Sequence, residues 1–258
     1  MALTFHDRVA LVTGATSGIG REIALAFGRA GARVVVVGRS VERGEDTAAA
    51  IVAAGGEARF VAADVSVARA VGDMIRLAVA AYGRVDCAVN GAGIEGAYGP
   101  TADQDEDVFD RVIAVNLKGT WLCMQAELRQ MVAQGSGTIV NIASINGLRA
   151  GAGFSPYCAS KHGVVGLTQS AAIEYSQAGI RVNAVCAGAF PTPMLGRVFA
   201  AVSPGAPERV ADRYTALIPL GRLGRPSEVA DAVLWLCSDG ASYVTGHCLA
   251  IDGGLLAR

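Results

Sequence analysis

The hydrophobic positions of this chain form short, valine-rich runs that alternate with longer stretches of helical periodicity. The runs are almost continuously apolar, which is typical of parallel strands that are buried on both faces. The predicted strands are residues 9–13, 33–37, 59–63, 85–90, 138–143, 181–186 and 247–251. The predicted helices are residues 18–30, 41–54, 67–82, 105–134, 155–178 and 226–238. The pattern therefore belongs to the α/β class.

The alternation runs from one end of the chain to the other without a linker, repeat or low-complexity segment. Successive right-handed crossovers between parallel strands build a doubly wound sheet. We therefore predict a single α/β domain over residues 1–258, of the doubly wound Rossmann type. Its seven-stranded parallel sheet is expected to carry helices on both faces.

A proline-rich stretch at residues 191–221 breaks this rhythm. It follows the end of a predicted strand, and open α/β sheets bind ligands beyond the carboxyl ends of their strands. Long excursions at this place often cover a substrate. We predict a substrate lid here, and the alternative is a surface insertion that only packs.

The composition argues against several classes of protein. The formal net charge is −1, so no basic surface for nucleic acid or an anionic membrane is indicated. No apolar run reaches the length of a transmembrane helix, and the first residues lack the pattern of a signal peptide. The six cysteines and three histidines are dispersed, which favours reduced thiols and no metal site. We expect a cytoplasmic protein with a small-molecule substrate.

A glycine-rich turn joins the first predicted strand to the first predicted helix. Glycine permits a tight turn and close approach to a pyrophosphate, and the helix N-terminus offers unpaired N–H groups. The spacing differs from the usual Gly-x-Gly-x-x-Gly, and no Gly-Lys-Ser/Thr follows that would indicate a triphosphate loop. The turn predicts a dinucleotide site at Gly14, Thr16, Ser17, Gly18, Ile19 and Gly20.

The end of the second predicted strand bears on the choice of cofactor. An acid there would bind the ribose hydroxyls of NAD, whereas a basic residue would accept the 2′-phosphate of NADP. Gly38 stands where the acid is expected, and Arg39 and Ser40 follow. A guanidinium fork suits phosphate, so NADP is favoured and NAD is the alternative. Asp64, at the end of the third strand, is placed to meet the adenine amino group.

Tyr157 and Lys161 are four residues apart in a predicted helix, so both side chains should lie on one face. A positive charge near a phenol favours the phenolate and lowers its pKa toward the neutral range. Ser144, just after the fifth predicted strand, could hold a substrate oxygen beside the phenol. The three residues suit proton transfer to or from an alcohol or carbonyl oxygen, although a solvated tyrosine–lysine pair is also common on helices.

Taken together, these motifs resemble the short-chain dehydrogenase/reductase family over essentially the whole chain. The resemblance rests on the glycine turn, Asp64-Val65, Asn90-Gly91-Ala92-Gly93, Asn116, Ser144, Tyr157 with Lys161, and Thr192. It implies an NAD(P)-dependent oxidoreductase that interconverts a secondary alcohol and a ketone by hydride transfer. The alternatives are a 3-oxoacyl-thioester reductase of the same family and a catalytically silent nucleotide-sensing or scaffold protein.

The resemblance also implies roles for matching residues. Tyr157 would be the general acid/base, Lys161 would lower its pKa and bind the nicotinamide ribose, and Ser144 would orient the substrate oxygen. Asn116 would hold a water that relays protons past Lys161. The remaining cofactor-binding positions would be Asp64, Val65, Asn90, Gly91, Ala92, Gly188, Phe190 and Thr192. The helices at 105–134 and 155–178 resemble those that form a dimer interface in this family, which implies a homotetramer.

The substrate pocket is the least determined part of the prediction. Its candidate residues are mainly apolar: Glu95, Ile145, Asn146, Phe154, Phe190, Met194, Leu195 and the segment to Tyr214. Such a pocket would suit a hydroxylated ring, a steroid-like or terpenoid alcohol, a cyclic diol or a 3-oxoacyl thioester. The sequence does not decide among them.

Overall fold

The computed structural model describes residues 3–258, and the seven strands within them form one parallel sheet. The strands are β1 Val9–Thr13, β2 Arg33–Gly38, β3 Glu57–Ala62, β4 Cys87–Asn90, β5 Gly137–Ile142, β6 Ile180–Ala187 and β7 Cys248–Ile251. The helices are α1 Gly18–Arg29, α2 Val41–Ala53, α3 Ala68–Tyr82, α4 Glu106–Val112, α5 Gly119–Gln134, α6 Ser155–Tyr175, α7 Pro193–Val202, α8 Pro207–Leu217 and α9 Pro226–Cys237. Most predicted strand and helix ends lie within one or two residues of these bounds.

The sheet order is β3-β2-β1-β4-β5-β6-β7, so the chain reverses its direction of growth between β1 and β4. In the parallel register, Thr13 at the end of β1 lies beside Val37 of β2 and Asn90 of β4. The carboxyl ends of these strands therefore share one edge, and the switch point opens a crevice there. The predicted doubly wound fold is confirmed.

Alternation along the strands divides the core between the two faces of the sheet. Ala10 and Val12 of β1 belong to a cluster with side chains of α1 and α9. Val9 and Leu11 belong to a second cluster with side chains of α3 and α5. Because every residue of β1 is buried, neither face shows the polar alternation of a solvent-facing strand.

The predicted helix at 105–134 contains a wide turn in its middle. The Asp105 carboxylate caps its start by accepting a hydrogen bond from the Asp107 N–H, and α4 follows. Residues Ile113–Lys118 then form a π-helical turn before α5 begins. Thr120 Oγ1 donates to the Asn116 carbonyl oxygen within this turn (2.7 Å). A π-helical turn widens the helix without ending it, so the sequence predicted one regular helix.

Residues 191–221 form two helices, α7 and α8. Thr192 caps α7 by accepting a hydrogen bond from the Leu195 N–H (3.2 Å), and a proline occupies the first turn of each helix. Proline suits that position because its missing N–H would be unpaired there anyway. Two of the prolines that break the strand–helix rhythm, Pro193 and Pro207, therefore start helices.

Two further observations concern residues 3–258 as a group. No helix among them is both long enough and apolar enough to cross a membrane. The six cysteines carry free thiols, and five of them are buried.

A buried polar network links β4, β5, α5 and α6 behind the crevice. Asn90 Nδ2 donates to Glu127 Oε2 and to Asn141 Oδ1, both at 3.0 Å. Asn141 Nδ2 donates to Thr168 Oγ1 at 2.9 Å. Glu127 is fully buried, and burial raises the pKa of its carboxyl to about 7. Neither Glu127 Oε1 nor Asn90 Oδ1 has a hydrogen-bond partner among the residues described.

The position of Asn90 in this network differs from the position predicted for it. Asn90 was expected to line the adenosine side of the cofactor site, but its side chain is 3% exposed and points into the layer between the sheet and α5. Successive strand residues face opposite sides, and position 90 falls on the α5 side. Only its neighbours Gly91 and Ala92 reach the crevice.

Replacing Glu127 with glutamine should stabilise the protein in a pH-dependent way. Folding raises the Glu127 pKa from 4.5 to about 7. Between these two pH values the carboxyl group is protonated in the folded protein and ionised in the unfolded chain. The wild type should therefore lose stability, by about 3 kcal/mol, as the pH rises through that window. The free energy of unfolding of the glutamine variant should not fall in this way. Its excess over that of the wild type should reach its full size above about pH 7. Urea unfolding at several pH values measures the free energy of unfolding of the two proteins. A difference between them that does not change with pH would contradict the prediction.

Candidate active site

A cavity of about 730 Å³ lies at the shared carboxyl edge of β1, β4, β5 and β6. This volume is in the upper part of the range for ligand sites. The residues predicted for cofactor, substrate and catalysis line it, with the exceptions of Asn90 and Asn116. Residues far apart in the sequence therefore line a single cavity, with the glycine turn at one end and α7 and α8 at the other.

The glycine turn leaves no room for side chains. A Cβ on Gly14, whose φ is +70°, would lie 2.6 Å from the Gly91 carbonyl oxygen, and one on Gly20 would lie 2.4 Å from the Gly14 carbonyl oxygen. The N-cap residue of α1, Ser17, makes no side-chain capping bond, and the first turn of α1 holds no acid. The backbone N–H groups of that turn are thus available to an anion, as the phosphates of a dinucleotide require.

The part of the cavity that begins at the glycine turn is basic at its far end. Thr16 leaves no room there for an acid in place of Gly38. A Cβ on Gly38 would lie 2.4 Å from Thr16 Cγ2, so an aspartate there would collide with Thr16. Arg39 and Ser40 line the cavity as predicted, and Arg43 joins them from the first turn of α2. The Ser40 hydroxyl also caps α2 by accepting from the Arg43 N–H (3.5 Å). Two guanidinium groups therefore stand near the expected ribose end.

Asp64 is held in place by its neighbour. Its Oδ1 accepts hydrogen bonds from the Ser66 N–H (2.9 Å) and the Ser66 hydroxyl (2.7 Å). The hydroxyl bond is the largest influence that lowers the Asp64 pKa, and the nearby Arg39 acts in the same direction. Asp64 is therefore a fixed carboxylate at the end of the cavity where the adenosine was predicted to bind.

Tyr157 and Lys161 lie one turn apart on α6. The Lys161 Nζ is 5.7 Å from the centre of the Tyr157 ring. It also donates a 2.8 Å hydrogen bond to the Ile142 carbonyl oxygen at the end of β5. Ser144 follows β5 directly, and its Oγ accepts from the Asn146 N–H (3.1 Å). One strand end therefore positions all three groups on the same wall of the cavity.

The ionisation of Tyr157 differs from the sequence prediction. Burial raises its pKa to about 12, the Ser144 hydroxyl opposes this shift, and Glu95 adds to it. Burial also lowers the Lys161 pKa to about 8. In the protein without cofactor, loss of hydration on burial is the largest influence on the phenol, because it disfavours the charged phenolate. The expected lowering of the phenol pKa is therefore not present, and Tyr157 is a neutral phenol at physiological pH.

Asn116 holds the loop after β4 in place. Its side chain is fully buried and does not line the cavity. Asn116 Oδ1 accepts from the Ile94 N–H, and Nδ2 donates to the Ile94 carbonyl oxygen (both 2.8 Å) and to Ser160 Oγ (3.1 Å). These bonds join the loop after β4 to α6, and the expected role of Asn116 in holding a water stays a prediction.

The substrate half of the cavity is largely aromatic. The rings of Tyr98 and Phe154 lie 5.2 Å apart, and those of Phe199 and Tyr214 lie 6.1 Å apart. Phe190 is only 4% exposed. Its ring packs directly against Gly224, where a Cβ would collide with it. The predicted residues Glu95, Ile145, Asn146, Met194 and Leu195 also line this half.

Comparison with known proteins identifies the family. A family model described as "Enoyl-(Acyl carrier protein) reductase" matches residues 14–256. The short chain dehydrogenase/reductase astE of Aspergillus oryzae is 42% identical, over 98% of this chain and 96% of its own length. Levodione reductase of Leifsonia aquatica is 40% identical (97% and 94%), and cis-4-hydroxycyclohexanecarboxylate dehydrogenase of Sinomonas cyclohexanicum is 43% identical (100% and 100%). The chain belongs to the short-chain dehydrogenase/reductase family.

Solved structures agree with this membership. The crystal structure of a levodione reductase matches with a TM-score of 0.97 at 40% identity, covering 98% of this chain and 99% of that one. A crystal structure of actinorhodin polyketide ketoreductase with NADPH matches with a TM-score of 0.92, also at 40% identity and over the same shares. This short-chain dehydrogenase/reductase is an NAD(P)-dependent enzyme that interconverts alcohols and ketones. The predicted family and reaction class are confirmed.

Several lining residues of this dehydrogenase were missed by sequence reasoning. They include Arg43 and Tyr98. Phe199, Val198 and Val202 also line the cavity, and they fall within the segment up to Tyr214 that was predicted for the pocket. Their spacing agrees with a helix, because Leu195 and Phe199 are four residues apart, as are Val198 and Val202.

Tyr157 should remain protonated up to about pH 10 in the protein without cofactor. Burial raises its pKa to about 12, whereas stabilisation by Lys161 would bring phenolate formation toward neutrality. The difference in ultraviolet absorbance between the wild type and Tyr157→Phe isolates this phenol during a pH titration. Phenolate absorbance from Tyr157 near neutral pH would contradict the burial argument.

Proposed function

We propose that the protein interconverts a secondary alcohol on a small ring and the corresponding ketone, with NADP(H) as the cofactor. The single observation that carries this is the convergence of Ser144, Tyr157 and Lys161 on a cavity that is continuous with the glycine turn. A hydride donor and a proton donor could therefore reach the same carbonyl group. The small ring is supported by the names of two relatives, levodione reductase and cis-4-hydroxycyclohexanecarboxylate dehydrogenase.

The shape of the substrate half supports a compact, apolar ligand. Tyr98 and Phe154 form one aromatic wall, and Phe199 and Tyr214 of the lid helices form another. Flat or chair-shaped rings bury much of their surface between such walls at little conformational cost. Helices α7 and α8 would then act as the lid that excludes water from the reaction.

In the direction of reduction, the substrate carbonyl oxygen would lie between the Ser144 hydroxyl and the Tyr157 phenol. The reduced nicotinamide, when bound, supplies a hydride to the carbonyl carbon. Tyr157, which is protonated at neutral pH, donates its proton to the carbonyl oxygen as the C–H bond forms. The alcohol leaves, and the phenolate recovers a proton from solvent. In oxidation the same steps run backwards: Tyr157 first gives its proton to solvent, and the resulting phenolate takes the hydroxyl proton as the hydride leaves carbon for the oxidised cofactor.

Lys161 assists both directions through its charge and its position. The phenolate that forms during reduction is next to an ammonium held by the Ile142 carbonyl oxygen, so the developing negative charge is stabilised where it appears. The same ammonium would face the nicotinamide ribose. The glycine turn, Asp64, Gly91, Ala92, Gly188 and Thr192 would hold the rest of the cofactor.

The preference for NADP rests on three residues. Arg39 and Arg43 line the ribose end of the cavity, and Gly38 cannot become an acid without moving Thr16. Two guanidinium groups attract a 2′-phosphate, whereas no carboxylate at this strand end competes for ribose hydroxyls.

A homotetramer is part of the proposal. Helices α5 and α6 leave large apolar side chains on their outer faces, with Trp121 44% and Ile173 82% exposed. Near the carboxyl terminus, Leu220 and Tyr243 are exposed as well. Two separate apolar regions suit the two interfaces of a dimer of dimers. A cytoplasmic location stays a prediction from the sequence.

Tyr157→Phe should abolish ketone reduction while it leaves cofactor binding intact. The variant keeps the ring that packs in the site but lacks the proton donor, so the rate should fall at least about a hundredfold. NADPH consumption with cyclohexanone measures turnover, and isothermal titration with NADPH measures binding. Tyr82→Phe, at the end of α3, is the matched control and should behave as wild type. Full activity of Tyr157→Phe would refute the assigned role.

The wild type should bind NADPH more tightly than NADH, and Arg39→Gln should reduce that preference about tenfold. The loss should fall on NADPH, because NADH carries no 2′-phosphate. Separate isothermal titrations with the two cofactors measure the ratio. Arg69→Gln, which removes an exposed arginine of α3, should leave it unchanged. A marked preference of the wild type for NADH would overturn the assignment.

A further inference from the structure

An ion pair in the lining of the substrate half of the cavity joins two elements that are far apart in the sequence. Arg197 of α7 donates from Nε to Glu95 Oε1 (2.5 Å) and from a terminal nitrogen to Oε2 (3.1 Å). Both residues line the cavity. The Glu95 side chain is 17% exposed and that of Arg197 is 60% exposed. The pair therefore joins the loop after β4 to the lid beside the expected substrate.

Glu95 sits on a loop that the fold holds firmly. The preceding residue, Ile94, is bound through both its N–H and its carbonyl oxygen to Asn116. The following residue, Gly96, has a φ of +76°, and a Cβ there would lie 2.9 Å from Val112 Cγ2. Any larger residue at position 96 would be strained, so the turn fixes the direction of the Glu95 side chain.

The Glu95 carboxylate is within electrostatic reach of the reacting group. It is one of the charges that raise the Tyr157 pKa. The other charged lining residues do not face the substrate half as free charges. Arg39, Arg43 and Asp64 lie at the cofactor end, and Lys161 is bound to the Ile142 carbonyl oxygen. Arg197 is therefore the remaining cation of the substrate half among the residues described.

We propose that the Glu95–Arg197 pair makes this site select uncharged ring ketones and reject those that carry a carboxylate. The inference rests on the proposed function. Glu95 occupies the guanidinium fork that would otherwise bind a substrate carboxylate, and it repels a second negative charge. A carboxylate would lose its hydration without gaining a partner, whereas a neutral ketone loses little. The chain would differ here from the relative named for cis-4-hydroxycyclohexanecarboxylate.

The test compares kcat/KM for cyclohexanone and 4-oxocyclohexanecarboxylate in wild type, Glu95→Gln and Arg197→Gln. The wild type should prefer cyclohexanone. Glu95→Gln releases Arg197 and should shift the ratio toward the carboxylate about tenfold, and Arg197→Gln leaves an unpaired carboxylate and should shift it about tenfold the other way. Arg213→Gln removes an exposed charge from α8 without touching the cavity, and its ratio should equal that of wild type.

A pair that only fastens the lid would give a different result. Both variants break the same bond, so both would then change the two substrates alike or shift the ratio in one direction. Either outcome, or a wild type that prefers the carboxylate, overturns the proposal. The same ligands can be titrated into Tyr157→Phe holding NADPH, in the presence and absence of each substitution. That measurement needs no turnover, so it separates failure of this selectivity from failure of the proposed reaction.

Discussion

The hydrogen bond from Lys161 to the Ile142 carbonyl oxygen is the interaction on which the site depends. It ties α6 to the carboxyl end of β5, a central strand, and so places Tyr157 beside Ser144. Close packing supports it: a Cβ on Gly147 would lie 2.7 Å from the Lys161 carbonyl oxygen. A buried ammonium needs such a partner, because its loss of hydration is otherwise uncompensated. The same hydrogen bond therefore compensates the buried charge of Lys161 and positions the groups proposed to react.

The two ends of the cavity recognise their ligands in different ways. At the glycine turn, the backbone itself is the binding surface, and any side chain would obstruct it. At the substrate end, side chains from the loop after β4 and from α7 and α8 form the surface, so the residues that contact the ligand can differ between proteins that share the fold. The first arrangement suits a cofactor common to many enzymes, and the second allows one fold to serve many alcohols and ketones.

Much of this could be predicted from the sequence because it depends on local pattern. Continuous buried valine runs gave the strands, and the spacing of Tyr157 and Lys161 gave their shared face. Asn90 was misplaced although strand alternation would have put it opposite Gly91. The π-helical turn at Asn116 and the pairing of Glu95 with Arg197 depend on tertiary contacts that no spacing reports. Burial, which the sequence does not show, raises the Tyr157 pKa in the protein without cofactor, whereas the spacing alone led us to expect a lowered one.

The central claim is that Tyr157 delivers a proton to the carbonyl oxygen during hydride transfer. The most direct test is the single-turnover reduction of cyclohexanone with cofactor deuterated at the transferring position, in H₂O and in D₂O. If both transfers occur in one step, each isotope slows the reaction, and the solvent effect keeps its size when the cofactor is deuterated. A solvent effect that is absent, or that vanishes with the deuterated cofactor, would contradict proton donation by Tyr157 in the hydride-transfer step.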